Sequence, residues 1–203
     1  MIPYYYKEID LPQIPRDILF KTPLGPCTRL TEDMLYGSTL LDPQTDLPIR
    51  PITYIINTFT SPELVNWLDQ HLTTHPELKN VDLSSIKLQT QRAKQPGLAH
   101  SHPVHSDIGL DWCLLYTLRC GGDPNQRPIT RWYQELNQPL ERAKSGPTSQ
   151  SDTGAIDYKN LTVLEEALLL PEHWYMINIS VLHDVQGITQ ERQSLRILAE
   201  PNK

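Results

Sequence analysis

Proline is the residue that most restricts how this chain can fold. The 203 residues include 18 prolines, and those before residue 52 lie at positions 3, 12, 15, 23, 26, 43, 48 and 51. Because proline lacks a backbone N–H and clashes with the preceding helical turn, this segment cannot form a long helix. We therefore expect residues 1–52 to be an extension that wraps the core in extended segments, within a single domain spanning residues 1–203.

The composition excludes several classes of protein. Hydrophobic residues make up 38% and charged residues 21% of the sequence, a balance typical of a chain with one core. The formal net charge is −6, which argues against a protein whose affinity depends on nucleic-acid phosphates. Pro171, Glu172, His173 and Asn178 interrupt the longest apolar stretch, so we expect no membrane span. With no signal or lipidation motif, the expected location is the cytoplasm.

The three cysteines, Cys27, Cys113 and Cys120, match neither a zinc motif nor a CxxC redox motif. We interpret them as reduced thiols. Cys113 and Cys120 lie in an apolar stretch, where a buried and unreactive cysteine is expected.

A strand followed by a helix is predicted ahead of the β-rich part of the chain. Residues 53–59 are β-branched and aromatic, which favours a strand. Ser61 followed by Pro62 has the pattern of an N-cap and first helical residue, and predicts a helix to about His75. His71 and His75 have the spacing of a zinc-binding pair, but the glutamate of an HExxH motif is absent, so we interpret them as surface residues.

The second half of the chain has the pattern of an antiparallel β fold, in which short β-rich segments alternate with turn-forming residues. These segments are residues 85–92, 104–119, 129–135, 174–182 and 190–198. Residues 137–160 predict a long loop, and residues 161–170 fit either a short helix or another strand. The sequence therefore predicts a mainly β fold with flanking helices, whose core spans residues 85–199.

His105 and Asp107 are the first candidate metal ligands. Alternate side chains of an extended segment share a face, so both can face one ion. His183 follows a β-rich segment near the other end of the core and can supply a second imidazole. Two histidines and one carboxylate occupy one face of an octahedral ion and leave open positions, an arrangement suited to ferrous iron and oxygen chemistry.

Arg192 and Ser194 are candidates for binding a carboxylate. A turn after His183 would return the chain so that Arg192 points back toward the metal, and its planar guanidinium matches a carboxylate in a bidentate manner. Ser194 lies on the same strand face and adds a hydroxyl donor. Arg196 also lies on that face and is a rival for this role.

The residues HSD at 105–107, with HDVQG at 183–187 and RQSL at 192–195, resemble the iron(II)- and 2-oxoglutarate-dependent oxygenase superfamily. The resemblance covers roughly residues 89–199, with a looser similarity to small phage or bacterial members of unassigned substrate. It implies a double-stranded β-helix, a jelly-roll or cupin-like barrel with the metal between two sheets. It further implies that His105, Asp107 and His183 bind Fe(II), while Arg192 and Ser194 bind the distal carboxylate of 2-oxoglutarate.

The activity implied by this resemblance is a hydroxylation by O2 that converts 2-oxoglutarate to succinate and CO2. Halogenating relatives replace the carboxylate ligand by a small residue, so Asp107 favours hydroxylation. We expect the substrate to be a small molecule or a protein side chain, with catalysis requiring no residue beyond the metal ligands. Residues 137–160 and the N-terminal extension are the expected sites of a lid and of specificity contacts. The oligomeric state stays open.

Two other classes of function remain open. A non-oxidative, metal-dependent cupin-like hydrolase or isomerase could use the same ligands, with Asp111 as a general base. In that class His100, His102 and His105 could form a different ligand set, and Asp107 would be a bystander. A binding module with no turnover is the other alternative.

Three further residues near these motifs are interpreted as structural. Asp184 should point away from His183 along an extended strand and be solvated. Trp132 and Tyr133 lie at the end of a predicted strand, where core packing is the expected role.

Overall fold

The computed structural model describes residues 5–21, 24–30, 52–59, 61–93, 100–107, 111–123, 125, 127–136, 151–152 and 161–202. These residues form twelve strands and two helices. The strands are β1 (Tyr6–Ile9), β2 (Leu24–Leu30), β3 (Ile52–Phe59), β4 (Leu78–Ala93), β5 (His100–Asp107), β6 (Trp112–Cys120), β7 (Ile129–Glu135), β8 (Ser151–Asp152), β9 (Leu161–Ala167), β10 (Trp174–Asn178), β11 (Leu182–Ile188) and β12 (Arg192–Pro201). The helices are α1 (Arg16–Lys21) and α2 (Pro62–Leu72).

The strands form two antiparallel sheets. The large sheet has seven strands in the order β1-β10-β6-β12-β4-β3-β2, and the small sheet has five in the order β8-β5-β11-β7-β9. The prediction of a mainly β fold with flanking helices is therefore confirmed. A closed barrel is not seen, because the described strands of each sheet end in open edges.

The N-terminal segment contributes strands to both edges of the large sheet. β1 pairs with β10 at one edge, and β2 pairs with β3 at the other. Residues 31–51, the rest of the predicted extension, lie outside the described part of the chain.

The large sheet has an apolar core on each of its two faces. Successive side chains of β6 and β12 point to opposite faces, so each strand supplies both cores. On one face Leu114, Tyr116, Leu195 and Ile197 pack with the helix α2. On the other face Cys113, Leu115, Tyr175 and Ile177 pack toward the small sheet, which contributes Trp132 to the same core. The second core fills the space between the sheets.

Helix α2 begins as the sequence predicts and ends earlier. The Ser61 side chain accepts the N–H of Leu64, and Pro62 is the first helical residue. Leu64, Leu68 and Leu72 are fully buried, which fixes the helix against the sheet. The helix ends at Leu72 rather than near His75.

One predicted β-rich segment is divided between the two sheets, and the ambiguous segment contains a strand. Residues 104–119 are not one strand: β5 ends at Asp107 in the small sheet, and β6 begins at Trp112 in the large sheet. Residues 161–170, for which the pattern fitted helix or strand, contain the edge strand β9. Most of the predicted loop at 137–160 lies outside the described residues, apart from the short strand β8.

In the described part of the chain, no helix has the length and apolar character needed to cross a bilayer. Cys113 is buried, as the sequence predicts, whereas Cys120, which was also expected to be buried, is half-buried; neither forms a disulfide with a described residue.

Candidate functional site

His183 lies at the start of β11, on the wall of the site that the small sheet provides. It is directly opposite His105 of β5 in the antiparallel register. Residues paired in this way share one face of the sheet, with Cα atoms roughly 4.5–5.5 Å apart. Asp107 ends β5 two residues further on. The side chains of β5 are not described, so the convergence of His105, Asp107 and His183 on one ion stays a prediction.

The His183 ring is held in one orientation by the backbone. Its Nδ1 lies 2.8 Å from the Val181 carbonyl oxygen, and a carbonyl can only accept, so Nδ1 donates this hydrogen bond. In the neutral ring the lone pair is then on Nε2. The side chain is buried, with 6% of its surface exposed. A hydrogen bond from the other ring nitrogen to a carbonyl is the arrangement usual for a metal-binding histidine.

Asp184 corrects one expectation, because it is fully buried rather than solvated. It does point away from His183, onto the outer face of the small sheet, where its Oδ2 accepts from the Tyr133 hydroxyl at 2.9 Å and from Gln186 Nε2 at 2.7 Å. Burial, followed by the charge of Asp184 and the hydrogen bond to it, raises the pKa of Tyr133 well above its ordinary value. A buried carboxylate is stable only with such partners. This network therefore fixes β11 through the face of the small sheet that is turned away from His183.

Arg192 lies at the start of β12, on the wall that the large sheet provides. Its side chain is buried, and Nη1 donates to Gln91 Oε1 of β4 at 2.8 Å. The turn before it is fixed by the Gly121 carbonyl, which accepts the N–H groups of Thr189 and Gln190 at 2.8 Å each.

Gly121 is required at its position for two reasons. Its φ of +88° is rare for residues with a side chain, and a Cβ there would lie 2.7 Å from the Arg192 Cβ. The absence of a side chain at Gly121 is therefore what allows the Arg192 strand to approach β6.

Ser194 and Thr117 present two buried hydroxyl groups beside Arg192. They are directly paired between β12 and β6, and each is 1% exposed. Neither hydroxyl oxygen has a hydrogen-bond partner among the residues that the structure describes. A buried hydroxyl without a partner costs roughly 1–3 kcal/mol, and neither residue is among those that line the cavity between the sheets.

The two walls enclose one cavity between the sheets. The polar lining comes from His183 and Thr130 on the small sheet and from the large sheet, which contributes Gln89, Gln91, Arg192 and Arg196. The remaining lining residues are Cys113, Leu115, Leu169, Ile177, Ile179 and Val185. An imidazole thus shares a pocket with guanidinium groups, whose shape matches a carboxylate.

The other candidate residues fall outside the cavity lining. Trp132 is fully buried between the sheets, and its Nε1 donates to the Asn178 carbonyl at 2.9 Å, as expected for core packing. Asp111, the general base of the alternative hydrolase, is exposed just before β6. His71 Nδ1 lies 2.7 Å from the Trp67 carbonyl oxygen within α2. Within the described residues no group of three His, Cys, Asp or Glu side chains is placed to bind a metal.

The register of β5 bears on the alternative, cupin-like ligand set of His100, His102 and His105. His102 is opposite Val185, and a bulge separates this pair from the pair of His105 with His183. In the backbone register, His102 and His105 are thus each opposite a residue of β11 that lines the cavity.

Gln91 and Thr117 are site residues that the sequence interpretation missed. Gln91 belongs to the alternation of polar residues at 87, 89 and 91 of β4, on the face opposite the core that contains α2. That alternation was a usable signal, because polar residues on an otherwise buried strand face indicate a ligand or a polar partner. Thr117 gave no such signal, since threonine is common in strands.

The comparisons with known proteins give structural similarity but no sequence match. No protein-family model matches the sequence, and no curated protein matches it. Among solved structures, the chain is similar to a prolyl 4-hydroxylase from Phytophthora capsici, with 19% sequence identity and a TM-score of 0.33. The similarity covers 70% of this chain and 41% of that one.

Proposed function

We propose that the protein is an Fe(II)- and 2-oxoglutarate-dependent dioxygenase that hydroxylates a small molecule or a protein side chain. The observation that carries this proposal is the composition of the cavity between the sheets. His183, opposite His105 in the register, lies on one wall, and the buried Arg192 lies on the other. A site for a metal-chelating diacid needs a metal ligand set and a cation in the same pocket.

The residues of the small sheet fit the metal. His105, Asp107 and His183 would hold it, and the hydrogen bond from His183 Nδ1 to Val181 leaves Nε2 as the donor atom. When bound, Fe(II) supplies the activation of O2 that converts 2-oxoglutarate to succinate and CO2 and oxidises the substrate.

The residues of the large sheet fit the distal carboxylate of 2-oxoglutarate. Arg192 supplies the charge, and Gln91 fixes its guanidinium from the neighbouring strand at 2.8 Å. The Ser194 and Thr117 hydroxyls, which have no partner among the described residues, would each donate to the carboxylate. These residues bind and orient the cosubstrate, while the apolar side chains of Ile177 and Ile179 help to exclude water from the cavity.

The strand order supports a double-stranded β-helix as the scaffold. From β4 to β7 the chain alternates between the large and the small sheet, and β10, β11 and β12 alternate again. In such a fold the two sheets face each other across the site. This alternation carries His183 and Arg192, which are on consecutive strands, to opposite walls of the cavity.

The test is an anaerobic titration of the iron-loaded protein with 2-oxoglutarate. We expect a weak visible charge-transfer band, followed by formation of succinate when O2 is admitted. Arg192→Ala should lose the band at 2-oxoglutarate concentrations that saturate the wild type, whereas Arg196→Ala should keep it. Absence of both the band and succinate from the folded wild-type protein would refute the proposal and favour a non-oxidative metal enzyme or a binding module.

A further inference from the structure

The strand β1 joins the two sheets through aromatic side chains. It belongs to the large sheet, where Tyr6 is opposite Ile177 of β10. The Tyr6 ring nevertheless stacks on the indole of Trp132, in strand β7 of the small sheet, with ring centroids 5.4 Å apart and planes 8° from parallel. Tyr5, just before β1, lies against the same indole with a centroid distance of 6.4 Å. A strand at the edge of one sheet thus contacts a buried side chain of the other.

The same indole is bonded to the point at which the chain leaves the large sheet. Asn178, the last residue of β10, donates its backbone N–H to the Tyr5 carbonyl at 2.8 Å. Its own backbone carbonyl accepts the Trp132 Nε1 hydrogen at 2.9 Å. The Asn178 side chain fixes the next part of the chain, because its Oδ1 accepts both the N–H and the hydroxyl of Ser180. The crossing from β10 to β11 therefore starts at a position that Tyr5 and Trp132 both fix.

His183 is the residue that this crossing delivers to the cavity. It follows Asn178 by five residues, and it is directly opposite Trp132 in the β7–β11 register, on the same face of the small sheet. Hydrogen bonds within the small sheet fix His183 relative to its neighbours in that sheet. They do not fix it relative to Arg192 in the large sheet, because facing sheets are held together by the side chains packed between them. The stack of Tyr6 on Trp132 is such a contact, one residue away from His183.

We propose that Tyr6 is a positioning residue of the candidate metal site. Its ring fixes the Trp132 indole between the sheets, and the indole in turn holds His183 in place opposite Arg192. A stacked aromatic pair has a preferred geometry, so it orients its members as well as filling space. Tyr6 is not among the residues that line the cavity, so it acts through Trp132. The inference rests on the proposed function, in which His183 binds the metal.

The test is a titration of the metal-free, full-length protein with Co(II), followed by visible absorption at a temperature where every variant is folded. Absorption bands that His183→Ala abolishes identify the site. Tyr6→Leu keeps an apolar side chain in the core but removes the stack. We expect it to weaken Co(II) binding about tenfold, the lower end of the effect of removing an outer partner of a metal-binding histidine. Tyr6→Phe keeps the ring and should keep the wild-type affinity.

Trp67→Leu is the matched control. Trp67 is also a half-buried aromatic residue whose ring stacks on another, that of His71, with centroids 4.2 Å apart. It packs against the core on the opposite face of the large sheet, which contains α2. Its replacement should lower the Tm of the protein and leave its affinity for Co(II) unchanged.

Several outcomes would contradict the inference while the predicted metal site stands. One is a Tyr6→Leu variant that binds Co(II) as tightly as the wild type. Another is an equal loss of affinity in Tyr6→Leu and Trp67→Leu, which would mean that any loss of packing loosens the site. A loss in Tyr6→Phe would assign the effect to the hydroxyl instead of the stack. If the wild type shows no bands that depend on His183, the proposed function fails, and the inference fails with it.

Discussion

Replacing Ser194 by Ala should stabilise the ligand-free protein while weakening 2-oxoglutarate binding. The Ser194 hydroxyl is 1% exposed and has no hydrogen-bond partner among the described residues. Removing it abolishes a desolvation cost of roughly 1–3 kcal/mol. We expect a gain of about 1 kcal/mol in the free energy of unfolding, because the small void left behind offsets part of the effect. For a chain of this size that is a rise in Tm of about 2–4 °C.

The effect on the ligand has the opposite sign. A hydrogen bond to a charged group contributes roughly 1.5 kcal/mol or more, so the Kd for 2-oxoglutarate should rise about tenfold. Thr117→Val is the matched variant, because it removes the paired hydroxyl at nearly constant volume. Both variants are measured by urea denaturation of the metal-free protein and by anaerobic titration of the iron-loaded protein. A loss of ligand-free stability in either variant would refute the reasoning, since it would mean that the hydroxyl already has a partner.

Three other predictions concern the metal, the turn and pH. Asp107→Ala should abolish succinate formation with little change in the Tm of the metal-free protein; a large loss of Tm would argue for a structural role. Gly121→Ala should destabilise the fold by at least ~1 kcal/mol and weaken 2-oxoglutarate binding, because the new Cβ meets Arg192; unchanged binding in a calorimetric titration would show that the contact is tolerated. Burial raises the pKa of Tyr116 and Tyr133, so the folded state keeps protons that the unfolded state releases above pH ~10. Stability should be level below that pH and fall above it, because these tyrosines lose their protons less readily in the folded state than in the unfolded state. Tyr133→Phe should make the free energy of unfolding less dependent on pH above pH ~10, as measured by urea denaturation at a series of pH values.

The β class of the fold could be predicted because it depends on local pattern. The alternation of β-branched and polar residues, and the cap formed by Ser61 and Pro62, are properties of neighbouring residues. The division of residues 104–119 between two sheets could not be predicted. β-rich residues continue on both sides of the break after Asp107, and only the packing of two sheets determines where the chain crosses between them.

The candidate site was predictable to the extent that its residues have distinctive chemistry. Histidine, aspartate and arginine at strand spacing stand out in a sequence. Thr117 could not be identified in this way, because its relevance comes from being paired with Ser194 across strands distant in sequence. The burial of Asp184 has the same origin, since its partner Tyr133 lies on another strand.

The packing of Trp132 between the sheets has a consequence for ligand length. Facing sheets lie roughly 10 Å apart, a distance set by the side chains that fill the gap. Because the predicted metal ligands and Arg192 belong to different sheets, the thickness of the indole would set how far apart the proposed site holds the two ends of a dicarboxylate. Replacing Trp132 by a smaller side chain is therefore expected to change which chain length of dicarboxylate fits, and it also alters the residue that is paired with His183 across the small sheet.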